Sequence, residues 1–551
     1  MFRRIFSSAF LWFVVAVAAV YFYVHMNQNV LEQKVQSMIS DSKQQTDIQK
    51  KLASSVMQYI GGSKTTPSAK KWVEVQKKVS DTVVKIFSSA FEFNWLEPYR
   101  APEQGGATGS GFFISDDGEF LTNFHVIGQA TDIQVQIPSL GRAKFAAKVV
   151  GVSPERDVAL LKLTDEARDA VKKLLGKIPY LTLGDSDLIG RGEEILALGY
   201  PLGQEHLKST QGIVSGVERT SLVEQLCIQI SAALNPGSSG GCSLNENGEV
   251  IGINFAIVVG AQNIGYVLPI NDLKSAIKDM HNVKLLRKAK LGSIVEPCTE
   301  DMAKFLGNPA DGGYYVAGAI KNSLLEKVKI KKGDVLYELN GHKIDFHGDV
   351  VVPWSEDKVS MIDLLNRYEV GDTINMVVYR KGERKNFSFK LEPRSVLPIR
   401  LVYPGYEEID YEVLGGTVFM HLTANHIMIM GKEIPSILKY ATLDNQYESV
   451  VVVTHVMATS PAHRLEGAIT PGMIVEEVNG EKVKDLDGLR KALRKSFDTK
   501  FVTILADDKR YSVFSVDSIL KDEKRLSSIC QFQLSPFVKE LYEKQQGAAA
   551  A

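Results

Sequence analysis

Residues 73 to 277 consist of short runs of β-branched and aromatic residues that end at glycine, Asp-Gly or Asn-Gly turns. Examples are the runs 81–87, 194–200 and 249–257. Short strands at such regular spacing are typical of an all-β barrel or sandwich domain. A segment of about 200 residues suits two small barrels packed together.

Three pieces of this segment place chemically versatile side chains beside predicted strands and turns. His125 follows the strand-like run 119–122, Asp157 opens an apolar strand, and Ser239 lies in the glycine-rich turn 235–241. Each has an ordinary structural interpretation when taken singly: a structural histidine, a turn or cap aspartate, and a plain loop. The three become informative only in combination.

Together, the three residues meet the requirements of acyl transfer. A serine hydroxyl is a poor nucleophile until a base takes its proton, and histidine has a suitable pKa. A carboxylate must hold the imidazole in one tautomer, and backbone N–H groups in a turn of small residues can stabilise an oxyanion. The order His125, Asp157, Ser239, with separations of 32 and 82 residues, is that of the chymotrypsin class.

Seven short motifs follow one another along this part of the chain: GSGFFI at 109–114, TNFHV at 122–126, DVALLK at 157–162, ALGYPLG at 197–203, TQGIVSG at 210–216, NPGSSGG at 235–241 and GINFAI at 252–257. In sequence and in order they resemble the motifs of the HtrA/Deg family of serine proteases. The resemblance implies a mainly β chain: a chymotrypsin-like double β-barrel followed by two PDZ-like domains. It also implies an ATP-independent serine endopeptidase that works through an acyl-enzyme.

The resemblance implies a role for each residue of the site. His125 is the general base, Asp157 its orienting carboxylate and Ser239 the nucleophile. The backbone at Gly237, Ser238 and Ser239 forms the oxyanion hole, with the N–H groups of Gly237 and Ser239 as donors. Every triad position is therefore filled by the residue that the chemistry requires.

Two positions depart from the family pattern: Ser238 replaces the usual Asn and Cys242 the usual Pro. Neither removes a triad member, so activity is expected to survive. Cys242 is either oxidisable or a small buried residue.

The resemblance also places the wall of the primary specificity pocket at five consecutive residues: Asn254, Phe255, Ala256, Ile257 and Val258. None of them is acidic, which disfavours Lys or Arg as the residue before the cleaved bond. We expect small or medium aliphatic side chains such as Val, Ala, Ile or Leu.

Two later stretches, 332–344 and 471–483, each contain a glycine turn, an alternating strand and an Asn-Gly hairpin, followed by a helical pattern. Both resemble PDZ domains, which bind an extended peptide at a sheet edge and capture its C-terminal carboxylate. The expected carboxylate loop of the first domain is Leu291, Gly292, Ser293 and Ile294. The second candidate loop, 415–419, matches less well, so peptide binding and subunit packing both remain open there.

The second domain is longer than usual, with 396–450 as an expected insertion, and the arrangement is closest to the plant-type Deg subgroup.

The segment 5–24 is apolar over twenty residues, enough for a helix to span a bilayer, and it follows Arg3 and Arg4. It predicts a single-pass anchor with the N-terminus in the cytoplasm and the rest exported; the alternative is a cleaved signal peptide. The periplasm is the expected compartment, with an organelle lumen or intermembrane space as alternatives.

An insertion at 91–104, placed before the first barrel strand, corresponds to a regulatory loop in relatives.

The predicted organisation has six parts: anchor 1–27, helical linker 28–71, protease 72–283, first PDZ domain 284–395, second PDZ-like domain 396–535 and C-terminal tail 536–551.

The composition of the chain disfavours nucleic acid as a partner and cysteines as the basis of a scaffold or metal site. The net charge of −1 gives no support to nucleic-acid binding, and four cysteines without a CxxC pair disfavour a disulfide scaffold or a cysteine zinc site. We expect no metal and no cofactor. The HtrA/Deg resemblance implies three kinds of partner: unfolded proteins, C-terminal peptides and further copies of the chain in a homotrimer or a multiple of trimers. The alternative function is a proteolytically inactive chaperone or scaffold that uses its PDZ domains.

Overall fold

The computed structural model describes residues 67–220, 223, 225–257, 264–321, 323–392, 397–442 and 445–550, and the backbone alone of 67–70, 256, 257 and 545–550. The expected anchor and most of the helical linker lie outside the described residues. Within those ranges, no helix is both long and apolar enough to cross a membrane. The described residues from Trp72 onward form one compact unit.

The segment from 83 to 163 forms a closed antiparallel barrel. Its strands are β1 (Val83–Glu92), β2 (Glu103–Phe113), β3 (Glu119–Thr122), β4 (Ala130–Gln136), β5 (Phe145–Ser153) and β6 (Val158–Leu163). They close in the order β1-β2-β3-β6-β5-β4. Phe113 and Phe120 fill the barrel, whereas their neighbours Phe112 and Leu121 face a second core outside it. Because successive side chains of a strand point to opposite faces, both faces of these strands are buried.

The segment from 194 to 269 forms the second closed barrel. Its strands are β7 (Glu194–Gly199), β8 (Lys208–Thr220), β9 (Gln225–Ile230), β10 (Cys242–Leu244), β11 (Val250–Ile257) and β12 (Gly265–Pro269). They close in the order β10-β11-β12-β9-β8-β7. Leu196, Leu198 and Ile253 meet Phe112 and Leu121 of the first barrel in a shared core. The expected double barrel is confirmed.

Four helices accompany the barrels: α1 (Pro67–Val79), α2 (Phe124–Ile127), α3 (Asp165–Leu175) and α4 (Ile270–Met280). Helix α4 buries Ile270, Leu273, Ile277 and Met280 in the shared core. Their spacing of three or four residues puts them on one helix face. The helix therefore fastens the end of the second barrel back onto the barrel pair.

The next region is a PDZ-like sheet. Its strands are β13 (Ser293–Pro297), β14 (Tyr314–Ala319), β15 (Val335–Leu339), β16 (His342–Lys343), β17 (Asp349–Val350), β18 (Val359–Ser360), β19 (Thr373–Arg380) and β20 (Glu383–Lys390), and its helices are α5 (Glu300–Phe305), α6 (Leu324–Lys327) and α7 (Met361–Leu365). The main sheet runs β13-β14-β15-β19-β20, so β13 lies at its edge. The predicted hairpin is present: Asn340 and Gly341, both with positive φ, join β15 to β16.

The C-terminal region repeats this sheet with one addition. Its strands are β21 (Tyr411–Leu414), β22 (Thr417–His421), β23 (Val451–Val456), β24 (Ile474–Val478), β25 (Glu481–Lys482), β26 (Phe501–Ala506) and β27 (Tyr511–Ser515), and its helices are α8 (Ala424–Met430), α9 (Leu486–Leu493), α10 (Ser496–Thr499), α11 (Val516–Cys530) and α12 (Pro536–Ala550). The order is β21-β22-β23-β24-β26-β27. Strands β22 to β27 repeat the order of the first sheet, and β21 is added outside β22.

Three expectations about peripheral segments need correction. The segment 396–450 is not a simple insertion, because it supplies β21 and β22 to the sheet. The expected tail 536–551 is helix α12 up to Ala550, and it buries Phe537, Val538 and Leu541 in the core of the C-terminal region. The segment 91–104 does not precede the first barrel strand. It joins β1 to β2, whose paired ends extend into it.

The β1–β2 loop reaches the C-terminal region. Trp95 packs in a cluster with Val402, Met420 and Ile427. Tyr99 packs in another cluster with Val418. The aromatic side chains of the loop therefore anchor it in the second PDZ-like region.

Helix α11 places a carboxyl group under the turn between β21 and β22. Glu523 is fully buried; its Oε2 accepts the N–H of Gly415 at 2.9 Å, while its Oε1 has no partner among the described residues. Burial raises the pKa of Glu523 to about 8, and the neighbouring Glu412 adds to the rise. The ionised form is therefore costly in the folded state.

This burial predicts that the C-terminal region loses stability as pH rises. The folded state keeps the Glu523 proton up to a pKa of about 8, and the unfolded chain releases it near the ordinary pKa of 4.5. The free energy of unfolding should therefore fall by roughly 2 kcal/mol or more between about pH 5 and 8. The substitution Glu523→Gln should remove that loss, measured by hydrogen exchange of β21 and α11 across pH.

The matched control for this experiment is Glu543→Gln, which changes an exposed glutamate of helix α12 in the same region. It should keep the wild-type dependence of hydrogen exchange on pH. An unchanged dependence in Glu523→Gln would contradict the assignment.

Candidate active site

Two residues of the sequence-predicted triad, His125 and Ser239, line a cavity between the two barrels. The cavity has a volume of about 310 Å³. Its lining residues are Ala107, Thr108, His125, Val126, Leu234, Asn235, Pro236, Gly237, Ser238, Ser239, Asn254 and Phe255. Residues distant in the chain thus meet where the barrels join.

Asp157 holds His125 at two points. Its Oδ1 accepts the backbone N–H of His125 at 2.8 Å, and its Oδ2 lies 2.7 Å from Nδ1 of the imidazole. Asp157 follows the turn Pro154–Arg156 in a left-handed conformation, and Asn123 Nδ2 donates to its carbonyl at 2.9 Å. These contacts fix both the backbone and the ring of His125.

The electrostatics of His125 combine two opposed effects. Burial lowers the pKa of the imidazole, but the hydrogen bond and the charge of Asp157 together raise it above its ordinary value. The aspartate therefore favours the imidazolium that forms whenever His125 takes a proton.

Ser239 reaches the same cavity but is not hydrogen-bonded to the imidazole. Its hydroxyl donates to the carbonyl of Phe255 at 3.1 Å. Gly240, with φ of +83°, follows it, and a Cβ there would lie 2.2 Å from the Ser110 carbonyl oxygen and from Thr122 Oγ1. Only glycine lets the first barrel approach the Ser239 turn this closely.

The turn 237–239 presents a partly free backbone. Gly237 has φ of +93°, and neither its N–H nor that of Ser239 donates a hydrogen bond among the described residues. The N–H of Ser238 already donates to the Asn235 carbonyl at 2.8 Å. The backbone of Ser238 therefore offers no free N–H in this conformation, which leaves the N–H groups of Gly237 and Ser239 as the predicted oxyanion donors.

Two of the five residues that were predicted to form the specificity wall line the cavity in the described structure. Phe255 and Asn254 line it, and Asn254 is also fully buried, with side-chain bonds to Ser243 and the Leu198 carbonyl. Its backbone also supports the Ser239 turn, because its carbonyl accepts the Gly240 N–H at 2.9 Å and its N–H donates to the Gly241 carbonyl at 2.8 Å. Of the other predicted residues, Val258 and the side chains of Ala256 and Ile257 lie outside the described residues.

The structure also bears on two other kinds of chemistry, a reactive thiol at Cys242 and a bound metal ion. Cys242 is completely buried and its thiol pKa is raised by burial, which agrees with a small packing residue rather than a reactive thiol. In the described part of the chain, no group of three or more His, Cys, Asp or Glu side chains is placed to hold a metal ion.

Sequence reasoning missed the role of Ser110. Its hydroxyl donates to the Gly237 carbonyl at 2.7 Å and accepts the Tyr200 N–H at 2.8 Å, and its N–H donates to the Ser239 carbonyl at 2.9 Å. Ser110 thus joins the first barrel to the turn that carries Ser239. The only signal for it was its place inside the 109–114 motif.

The two PDZ-like sheets differ at the edge where a peptide would bind. In the first, Leu291 to Ile294 precede or begin β13, whose outer side pairs with no other strand of the described chain. Gly292 has φ of +74°. In the second, β21 pairs antiparallel along β22, from Tyr411↔Met420 to Leu414↔Thr417. The candidate loop at Gly415 is therefore a hairpin turn, and the edge of β22 is filled by the chain itself.

Comparison with known proteins follows the same division of the chain. A trypsin-like peptidase domain profile matches residues 109–253, and a PDZ domain profile matches 405–530. The probable periplasmic serine endoprotease DegP-like of Marinomonas sp. (strain MWYL1) is 30% identical over 411 residues, which cover 73% of this chain and 78% of that protein. This chain belongs to the DegP-like, HtrA-type serine endoprotease family. The expected enzyme class is confirmed.

Further matches are of the same type. The DegP-like protein of Pseudomonas putida (strain GB-1) is 31% identical over 56% of this chain and 61% of its own length. A solved HtrA-type protease, AlgW with decapeptide, is 26% identical with a TM-score of 0.46 over 59% of this chain and 99% of that one. The relatives named here are bacterial DegP-like proteins and give no support to the plant-type subgroup.

The contacts of Ser110 predict a specific loss on truncation. Ser110→Ala leaves the Gly237 carbonyl and the buried Tyr200 N–H without partners, which should cost about 1–3 kcal/mol and disorder the nucleophile turn. Peptide hydrolysis should fall together with thermal stability, measured by kcat/KM and thermal unfolding. Ser115→Ala in the same barrel, which loses one turn hydrogen bond, is the control. Equal effects of the two variants would contradict the proposed link.

Proposed function

We propose that His125, Asp157 and Ser239 hydrolyse peptide bonds through an acyl-enzyme. The proposal rests on one observation: Asp157 contacts both the backbone N–H and the imidazole of His125, and His125 lines the same cavity as Ser239. His125 takes the hydroxyl proton as Ser239 attacks the carbonyl carbon, and then gives that proton to the leaving amine. The N–H groups of Gly237 and Ser239 are the proposed donors to the oxyanion.

The bond between Ser239 and His125 forms when substrate binds. In the described conformation the Ser239 hydroxyl donates to Phe255 instead. Catalytic hydrogen bonds are often absent or long before substrate arrives. A rotation of the serine side chain away from the Phe255 carbonyl suffices to break this contact.

The substrate preference follows from the cavity walls. No Asp or Glu side chain lines the described part of the cavity, and Leu234, Pro236 and Phe255 make it apolar. We therefore assign a preference for aliphatic residues before the cleaved bond. Cleavage after Lys or Arg would contradict this assignment.

Peptide recognition is assigned to the first PDZ-like sheet. Its edge strand β13 is open to an added strand, as β-augmentation requires. We do not assign this role to the second sheet, because β21 occupies the corresponding edge and Glu523 accepts the turn N–H at Gly415.

The proposal also covers the cellular compartment, the substrates and the oligomeric state of the enzyme. We assign the protease to the exported side of a membrane, held there by the apolar segment 5–24, with the periplasm as compartment because its relatives are named periplasmic. Its substrates are unfolded proteins, cleaved without ATP, and its assembly is a homotrimer or a multiple of trimers.

The triad assignment predicts loss of hydrolysis in Ser239→Ala. Cleavage of casein by residues 62–546 should fall to background, with folding checked by circular dichroism. Retained cleavage would overturn the assignment, and a folded wild-type protein without cleavage would favour the chaperone alternative.

Asp157→Asn is the second arm of this test. Because the neutral imidazole is the base, kcat/KM of the wild type should fall as pH drops through the raised pKa of His125. Without the aspartate charge, the acid limb should move to lower pH, and kcat should fall by roughly 10⁴-fold, as in other triads. If the acid limb of the pH profile did not move, the charge of Asp157 would not be what raises the pKa of His125, and the assignment of Asp157 would be contradicted.

The PDZ assignment predicts binding at one sheet only. A peptide with an apolar C-terminus and a free carboxylate should bind, and its C-terminal amide should not, measured by fluorescence anisotropy. Gly292→Ala should weaken binding at least about tenfold, because its Cβ would lie 2.3 Å from the Ser323 Cβ. Gly333→Ala has the same kind of positive φ, +93°, without any contact within 4 Å, and is the control. Equal binding of acid and amide would contradict carboxylate capture.

A further inference from the structure

A second cavity lies on the other side of His125. Its volume is about 300 Å³. Ala107, His125 and Val126 line both cavities, whereas Ser239 and the turn 234–238 line only the first. His125 therefore borders both spaces.

The chemistry of the proposed triad gives the two spaces different occupants. The acyl part of a substrate is attached to Ser239 and extends into the first cavity. The leaving amine receives its proton from His125, so the chain that follows the cleaved bond starts at the imidazole. The second cavity is the space available there.

One wall of this cavity is smooth because the end of β2 has no bulky side chains. Gly105, Gly106 and Ala107 line it. A Cβ added at Gly105 or Gly106 would meet nothing closer than 3.9 Å and 3.6 Å respectively. This wall therefore carries no side chain larger than the methyl group of Ala107, which leaves the cavity beside it available to a substrate side chain.

The opposite wall comes from outside the barrels. It is formed by Val402, Tyr403 and Pro404, which precede β21, together with Asn425 of α8. Asn425 Oδ1 accepts the Val402 N–H at 2.9 Å, and its Nδ2 donates to the Val402 carbonyl at 3.2 Å. One side chain thus fixes both backbone groups of the wall residue.

Further contacts hold this wall against the barrel. The ring of Tyr403 packs edge-on against Phe124, the neighbour of His125, at 5.6 Å. Arg287 lies over Tyr403 at 5.3 Å and donates to Glu407 at 2.6 Å. Glu407 also accepts the Tyr403 N–H at 3.1 Å. The wall is therefore a built part of the active-site cleft.

We propose that this cavity is the subsite for the substrate residue directly after the cleaved bond, with a wall supplied by the segment before the second PDZ-like sheet. Val402 and Pro404 give it an apolar side, and the carboxylate of Glu92 lines it as well. It takes apolar or basic side chains and rejects acidic ones. Asn425 is a positioning residue for the wall. The inference rests on the proposed triad.

The test compares peptides that share every residue up to the cleaved bond and carry Leu, Lys or Asp directly after it. The wild type should cleave the Leu and Lys peptides at least about tenfold faster than the Asp peptide, measured as kcat/KM. Glu92→Gln should reduce this ratio several-fold. Glu103→Gln is the matched control, because Glu103 pairs with Glu92 across the strands but does not line the cavity.

A second variant tests the wall. Asn425→Ala should lower the Leu-to-Asp ratio by releasing Val402, an effect that a merely structural loss of active enzyme would not produce. A peptide methyl ester that ends at the cleaved bond reports the triad separately. Ester hydrolysis that depends on Ser239, together with equal rates for all three peptides, would overturn the subsite and leave the triad standing. No Ser239-dependent hydrolysis of ester or peptide would overturn the triad itself and the subsite with it.

Discussion

The close approach of the first barrel to the turn around Ser239 is the constraint on which the active site depends. A residue with a Cβ at position 240 would collide with the Ser110 carbonyl and Thr122, so the approach exists only because Gly240 is there. Ser110 then hydrogen-bonds to both Gly237 and Ser239 across the junction. The proposed nucleophile belongs to one barrel and the proposed base to the other, and this junction sets the distance between them.

A chain of charges extends from the same region to the C-terminal half. Glu155, two residues before Asp157, lies 3.6 Å from Arg287, whose other nitrogen donates to Glu407 at 2.6 Å. All three side chains are largely buried, which strengthens their attraction and makes an unpaired member costly. The loop that carries Asp157 is thereby tied to the segment that leads into the second PDZ-like sheet.

The sequence made the catalytic order and the barrels predictable, because strand periodicity and short motifs are local signals. The Asn-Gly hairpins at Asn340 and Asn479 were equally local, and both have the positive φ that their residues favour. Contacts between distant segments left no such signal. Neither the bonds of Ser110 to residues ninety or more positions away nor the burial of Trp95 in the C-terminal region could be read from a single chain.

The second PDZ-like sheet shows why resemblance of a loop does not predict its use. Gly415 and Gly416 offer the flexible backbone of a carboxylate loop, yet they turn the chain so that β21 covers the edge of β22. With that edge filled, the region buries the β1–β2 loop and supports the wall at Val402 beside His125. The edge of this sheet is therefore occupied by a strand of the same chain, and the contribution that we propose for the region is to shape the cleft beside His125.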